Sequence, residues 1–158
     1  MKLPDTKFKA NLANYFFQSA LAGITIFAVM LFLNIAMHAV IIAAIGSTAF
    51  VVFAMPSSPT ARFRNVVGGH MVGVLSGFLS SFLPQLSFIH IAAAYAFAVS
   101  LSVLLMVATN TEHPPAAGTA LGIAIIGFSP EIGLFTLVSA LILSLSHYSM
   151  KPWLNDLV

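Results

Sequence analysis

The chain has 158 residues, of which 59% are hydrophobic and only 6% charged, with a formal net charge of +2 and no cysteine. A soluble domain carries about 25% charged residues, so this composition excludes a soluble globular protein and indicates an integral membrane one. Disulfides, thiolate metal sites and thiol nucleophiles are excluded, and so small and scattered a positive charge excludes nucleic acid as a partner.

Residues 1–14 read as an interfacial lead-in with Lys2, Lys7 and Lys9. No small-residue cleavage pattern follows them, so they are not expected to form a cleavable signal. An apolar run over 15–33 is long enough for a first span, a crossing needing roughly 20 residues. Further apolar segments cover 39–55, 65–83, 88–108, 114–127 and 130–150, and a short tail covers 151–158. Lipid cannot satisfy free backbone N–H and C=O groups. The expected fold is therefore all-α: a polytopic bundle of about six membrane segments over residues 15–150. Pro56 should end the second segment and Pro84-Gln85 the third. Gly127 should stop the fifth, and Ser129-Pro130-Glu131 supplies an N-cap, a first-turn proline and a first-turn acid for the sixth. Lys151-Pro152 closes that last helix.

Two polar breaks interrupt the hydrocarbon. The first is Pro56-Ser57-Ser58-Pro59-Thr60-Ala61-Arg62-Phe63-Arg64-Asn65; the second is Thr109-Asn110-Thr111-Glu112-His113-Pro114-Pro115. Polar groups between membrane-length apolar runs are costly and by default functional. Segment 114–127 reaches only about 21 Å as a helix, against a hydrocarbon core of about 30 Å. Either it is re-entrant, or the polar stretch before it dips into the membrane and completes the crossing. Each break is followed by small residues four apart: Gly69, Gly73 and Gly77, then Gly118 and Gly122. Such faces let helix backbones approach closely. With six crossings all six Lys and Arg fall on one side, so both termini are expected in the cytoplasm by the positive-inside rule, in a bacterial inner membrane.

At these breaks the chain resembles the HPP family of small integral membrane proteins. The resemblance is carried by Ser57-Ser58-Pro59, Arg64-Asn65 and Gly68-Gly69-His70, and by His113-Pro114-Pro115 with Thr119-Ala120-Leu121. It covers about residues 15–150. Where the family pattern has Gln and Pro before Arg-Asn, this chain has Arg62 and Phe63, and Gly118 is displaced by one position. Plastid and cyanobacterial members have been linked to nitrite transport, so the resemblance implies a small-anion transporter.

Arg64 is the main candidate for anion contact, because guanidinium presents a planar fork to planar oxyanions. The competing reading of Arg64, and the favoured one for Arg62, is a topogenic charge among headgroups. His70, beside Gly68 and Gly69, is expected to handle a proton or anion, or else to bond a neighbouring helix. Glu112 and His113 form either a proton relay or a capped helix start in which Thr111, Glu112 or His113 serves as the cap. His38, His90 and His147 lie near span ends without metal-ligand spacing, so neither metal nor cofactor is expected. The Met and Phe residues read as packing or lipid-facing groups, and Trp153 as an interfacial anchor.

The leading expectation is a small-anion transporter or channel, with or without proton coupling, rather than an enzyme. Ser57, Ser58, Arg64, Asn65, His70, Asn110, Thr111, His113 and Thr119 would line its path between the cytoplasmic ends of spans three and five. Six short segments enclose a polar path poorly, and the glycine faces suggest a homodimer or trimer. One alternative is a non-catalytic scaffold or accessory subunit. Another is a membrane-embedded enzyme using Ser57, Ser58, His70, His113 and Glu112, which no catalytic elbow, metal motif or nucleotide loop supports.

Overall fold

A computed structural model describes residues 11–33 and 39–158. Lys2, Lys7, Lys9, most of the expected lead-in, and His38 with its loop lie outside the described residues. Six α-helices occur among the described residues: α1 (Leu12–Leu33), α2 (Ala39–Ala54), α3 (Phe63–Ser80), α4 (Phe88–Thr109), α5 (Pro114–Ile126) and α6 (Pro130–Met150). Short 3-10 turns cover Pro59–Ala61 and Lys151–Trp153, and the described residues contain no strand. The all-α bundle is thus the observed fold. Among the described residues three stretches are long and apolar enough to cross a membrane alone: Leu12–Leu31, Phe88–Thr109 and Pro130–Trp153.

Element ends follow local chemistry. Ser129 Oγ accepts from Ile132 N at 3.2 Å, with Pro130 in the first turn and Glu131 beside it. Asn110 ends α4 in the left-handed conformation, φ 55° and ψ 48°, which asparagine tolerates better than most residues. Three boundaries differ from the sequence reading. α1 begins at Leu12, inside the stretch assigned to the lead-in. α3 starts at Phe63 and stops at Ser80, before Pro84, because Ser80 and Ser81 hydroxyls bond back to the carbonyls of Gly77 and Phe78. At the start of α5, His113 occupies the cap position but makes no side-chain cap bond. Pro114 and Pro115 lack the N–H groups such a cap would serve, which leaves the imidazole available elsewhere.

The two polar breaks meet at one end of the bundle. Asn65 Nδ2 donates to the Glu112 carbonyl at 3.1 Å, and His147 near the end of α6 bonds the Pro56 carbonyl at 3.2 Å. Arg62, Arg64 and Lys151 therefore share this end, called here the near end. α3 and α5 both start from it and run parallel. Gly69, Gly73 and Gly77 face α5 at His113, Ala116 and Ile123 in turn, while Gly118 and Gly122 face Ala44 and Ile41 of α2. A methyl group on Gly77 would sit 2.6 Å from Ile123 Cβ, so hydrogen at this position is what permits the helix separation observed. α5 packs against α2, α3 and α4, which puts the shortest helix in the middle.

Large apolar side chains cover the outside, among them Phe16, Phe27, Leu31, Phe82 and Leu104. Meanwhile His70, His113, Thr48 and Thr119 are completely buried. Water-soluble proteins distribute these classes the other way round, so the molecule is built for an apolar solvent. Ile41, Ile45, Phe53, Phe135 and Leu143 form the larger apolar core between α2 and α6. Ala98, Ala120 and Ala124 form a smaller one where α4 meets α5.

Candidate functional site

The buried polar centre joins α2, α3 and α5. Thr48 on α2 places its hydroxyl between two imidazoles, 2.8 Å from His70 Nε2 and 3.0 Å from His113 Nε2. The other nitrogen of His70 lies 2.9 Å from Thr119 Oγ1, and that of His113 lies 2.8 Å from the Thr60 carbonyl. The ring centroids are 5.2 Å apart. All four ring nitrogens are therefore taken up by hydroxyl or carbonyl groups, and none bonds a carboxylate. Thr48 lies six residues inside the end of α2 and His70 seven inside the start of α3, each about 10 Å deep at 1.5 Å per residue.

Local sequence explains this convergence. Thr48 also lies 3.1 Å from the Ala44 carbonyl one turn back, a common position for a threonine hydroxyl in a helix. Gly69 has no side chain to oppose His113, whose Cβ would lie 2.6 Å from a methyl there. Ser58 Oγ accepts from Thr60 N at 3.3 Å and pairs with Thr60 Oγ1 at 2.8 Å, fixing the turn whose carbonyl meets His113. Thr111 packs on Gly68, so the polar link reaches about 8 Å along α3 before α5 begins. Backbone at that depth survives because protein covers it.

The remaining sequence candidates lie around this centre. Arg64 is exposed, and its Nη2 donates to the Thr109 carbonyl at 2.6 Å. It thus caps the C-terminus of α4, where a cation is favoured. Thr109 and Thr111 hydroxyls pair at 2.8 Å behind it. Asn65 is buried and ties α3 to the Glu112 backbone. Ser57 faces the C-terminal tail, its N–H donating to Asp156 Oδ1 at 3.0 Å. Arg64 and His113 do not converge on one shared hollow: the ring is sealed inside and the guanidinium lies at the rim. Nor does Glu112 bond His113, whose nitrogens are occupied by Thr48 and Thr60.

Two residues escaped the sequence reading. Thr48 is a single hydroxyl in an apolar helix, and that isolation was the available signal. Gln18 of α1 is buried; its amide donates to the Phe53 carbonyl and, at 2.8 Å, to the Asn155 carbonyl, while its oxygen accepts from Asn155 N at 3.1 Å. With Tyr15, whose hydroxyl donates to the Leu157 carbonyl at 2.5 Å, it holds the tail against α1 and α2. A groove of about 370 Å³ runs along the α2–α5 seam between Ala44, Ser47, Pro115 and Gly118, next to the buried centre. Among the described residues no three metal-binding side chains come together.

The model of the HPP transmembrane region matches residues 7–150. A transmembrane protein of Dictyostelium discoideum is 37% identical over 82 residues, 52% of this chain and 29% of its own length. A second from the same organism is 36% identical over 75 residues, 48% of this chain and 24% of its own. The chain thus spans less than a third of the curated relatives it matches. No solved structure matches.

Proposed function

Since the chain belongs to the HPP transmembrane family, we propose that this membrane-spanning protein carries a small planar anion of the nitrite class across the membrane with a proton. The observation that carries the reading is the pair of fully buried imidazoles bridged by one threonine hydroxyl, about 10 Å inside the helix ends. Ionisable groups at such depth mark ion and proton pathways far more often than they mark packing. An anion entering against a negative-inside potential meets about 2.3 kcal/mol per charge per 100 mV, and a co-moving proton cancels that term. Arg64 at the rim, with Asn65 and the start of α5 beside it, forms the capture point; His70, His113, Thr48 and Thr119 form the proton-handling centre.

The near end, with Arg62, Arg64 and Lys151, is assigned to the cytoplasm of a bacterial inner membrane. The groove along α2 and α5 makes this seam the natural place for the path to open, either within a protomer or against a second copy. One observation favours a scaffold instead: both rings are satisfied wholly within the protein, as in a network that only specifies packing.

Liposomes containing the purified chain are expected to pass nitrite, nitrate or formate. Arg64→Ala and His113→Ala are expected to abolish that flux in protein that remains folded. Wild-type liposomes impermeable to all three anions, at every pH and potential, would refute transport and favour the scaffold reading.

A further inference from the structure

The hydrogen-bond chain through the buried centre runs Thr119, His70, Thr48, His113, Thr60. Its last member is a carbonyl, which only accepts. His113 Nδ1, 2.8 Å from that carbonyl, must therefore bear a hydrogen. A neutral His113 then has a bare Nε2, which needs a donor, and the group at 3.0 Å is the Thr48 hydroxyl. Having given its one hydrogen to His113, Thr48 can only accept from His70 Nε2 at 2.8 Å. A neutral His70 so protonated has a bare Nδ1, and the Thr119 hydroxyl at 2.9 Å must donate to it. One carbonyl thus fixes the direction of every bond in the chain. The competing arrangement turns the Thr48 hydrogen to the Ala44 carbonyl, 3.1 Å away. With both rings neutral it leaves His113 Nε2 a buried acceptor without a donor, and adding a proton there would make His113 a fully buried cation with no carboxylate bonded to it. Burial strongly disfavours that charge.

We infer that the Thr48 hydroxyl is the hub that locks His70 and His113 in opposite neutral tautomers and hands a proton from one ring to the other. A proton arriving at Thr119 is taken up by its oxygen as the Thr119 hydrogen passes to His70 Nδ1, making that ring a cation. His70 gives its Nε2 hydrogen to Thr48 while Thr48 gives its own to His113 Nε2. The charge now sits on His113, which passes its Nδ1 proton to water entering at the near end beside the part-exposed Thr60. One proton enters and one leaves, with the three hydroxyl–imidazole bonds reversed and the bond to the Thr60 carbonyl lost. The reversed chain points the bare Nδ1 of His113 at the Thr60 carbonyl, lone pair against lone pair. The chain therefore passes one proton and then blocks until reset, which suits a coupled carrier and not a proton channel. This proton-handing half rests on the transport reading; the tautomer half does not.

The test is ¹⁵N spectroscopy of histidine-labelled full chain in lipid nanodiscs, with signals assigned by their loss in His70→Gln and His113→Gln. The wild type is expected to show His70 protonated at Nε2 alone and His113 at Nδ1 alone. Thr48→Val should abolish this complementary pair, and Thr48→Ser, which restores the hydroxyl, should recover it. The same tautomer in both rings, a doubly protonated ring in the wild type, or an unchanged pattern in Thr48→Val would overturn the hub. In nitrite-loaded liposomes with a pH dye, Thr48→Val is expected to cut proton movement about a hundredfold, the lower range for losing a proton-transferring group. Serine should rescue it. Undiminished proton movement in the valine variant refutes the hand-over. Wild-type liposomes that pass none of nitrite, nitrate and formate refute the transport reading and leave the tautomers to decide the hub.

Discussion

Gly73 provides the most direct test of the bundle's geometry. It lies mid-way along α3, and a methyl built on it falls within overlap distance of the Ala116 carbonyl oxygen of α5. Backbone cannot rotate away, so Gly73→Ala forces α5 to retreat by about 1 Å to restore ordinary contact. That movement carries Thr119 with it and takes the 2.9 Å His70–Thr119 bond beyond the 3.5 Å at which such bonds fail. Overpacking costs about 1–3 kcal/mol, and an unsatisfied buried nitrogen adds about 1–3 kcal/mol. Alanine's better helix propensity returns about 1 kcal/mol. The net expectation is a loss of about 1–5 kcal/mol. Gly46→Ala is the internal control: a methyl there meets nothing within 4 Å, so only the propensity gain of about 1 kcal/mol remains. Thermal or denaturant unfolding of both variants in one detergent measures the contrast. If Gly73→Ala proves as stable as Gly46→Ala, the close α3–α5 approach, and the site it positions, are refuted.

Gln18→Leu removes three hydrogen bonds between α1, the end of α2 and the tail. It should cost about 1–3 kcal/mol for stranded buried groups, with faster hydrogen exchange at Asn155 and Leu157 as the readout. Asn110→Gly keeps the left-handed turn and should change the unfolding midpoint little, whereas Asn110→Val should cost about 1–2 kcal/mol; equal midpoints would argue against that turn. Arg64→Ala should lower stability by no more than about 1 kcal/mol, the value of a cation at a helix C-terminus, while abolishing anion flux. A large stability loss with flux intact would make Arg64 a structural cap alone.

Much of the site was legible in the sequence because membrane chemistry makes polarity conspicuous. His70, His113 and Thr119 stood out against apolar runs, and the glycines at 69, 73 and 77 announced a close helix contact. What could not be read was which polar groups would meet. Arg64 and His113 are both prominent in the chain, yet one ends on a helix terminus at the rim and the other turns inward to Thr48 and Thr60. Glu112 is adjacent to His113 in sequence, but the turn into α5 sends the ring toward α2 instead. Thr48 was overlooked because a lone threonine in a helix usually satisfies itself on the preceding turn.

By itself the sequence determined the solvent, the helical class, most helix ends and the two polar breaks, since each depends on local composition and on hydrogen bonds made within a few residues. The tertiary structure decided which hydroxyl joins the two histidines. That choice depends on the rotation of α2 against α3 and α5, which is set by how closely Gly69, Gly73, Gly118 and Gly122 let three backbones approach. A linear pattern of small residues states that helices can come close; only their mutual packing specifies which side chains then face one another.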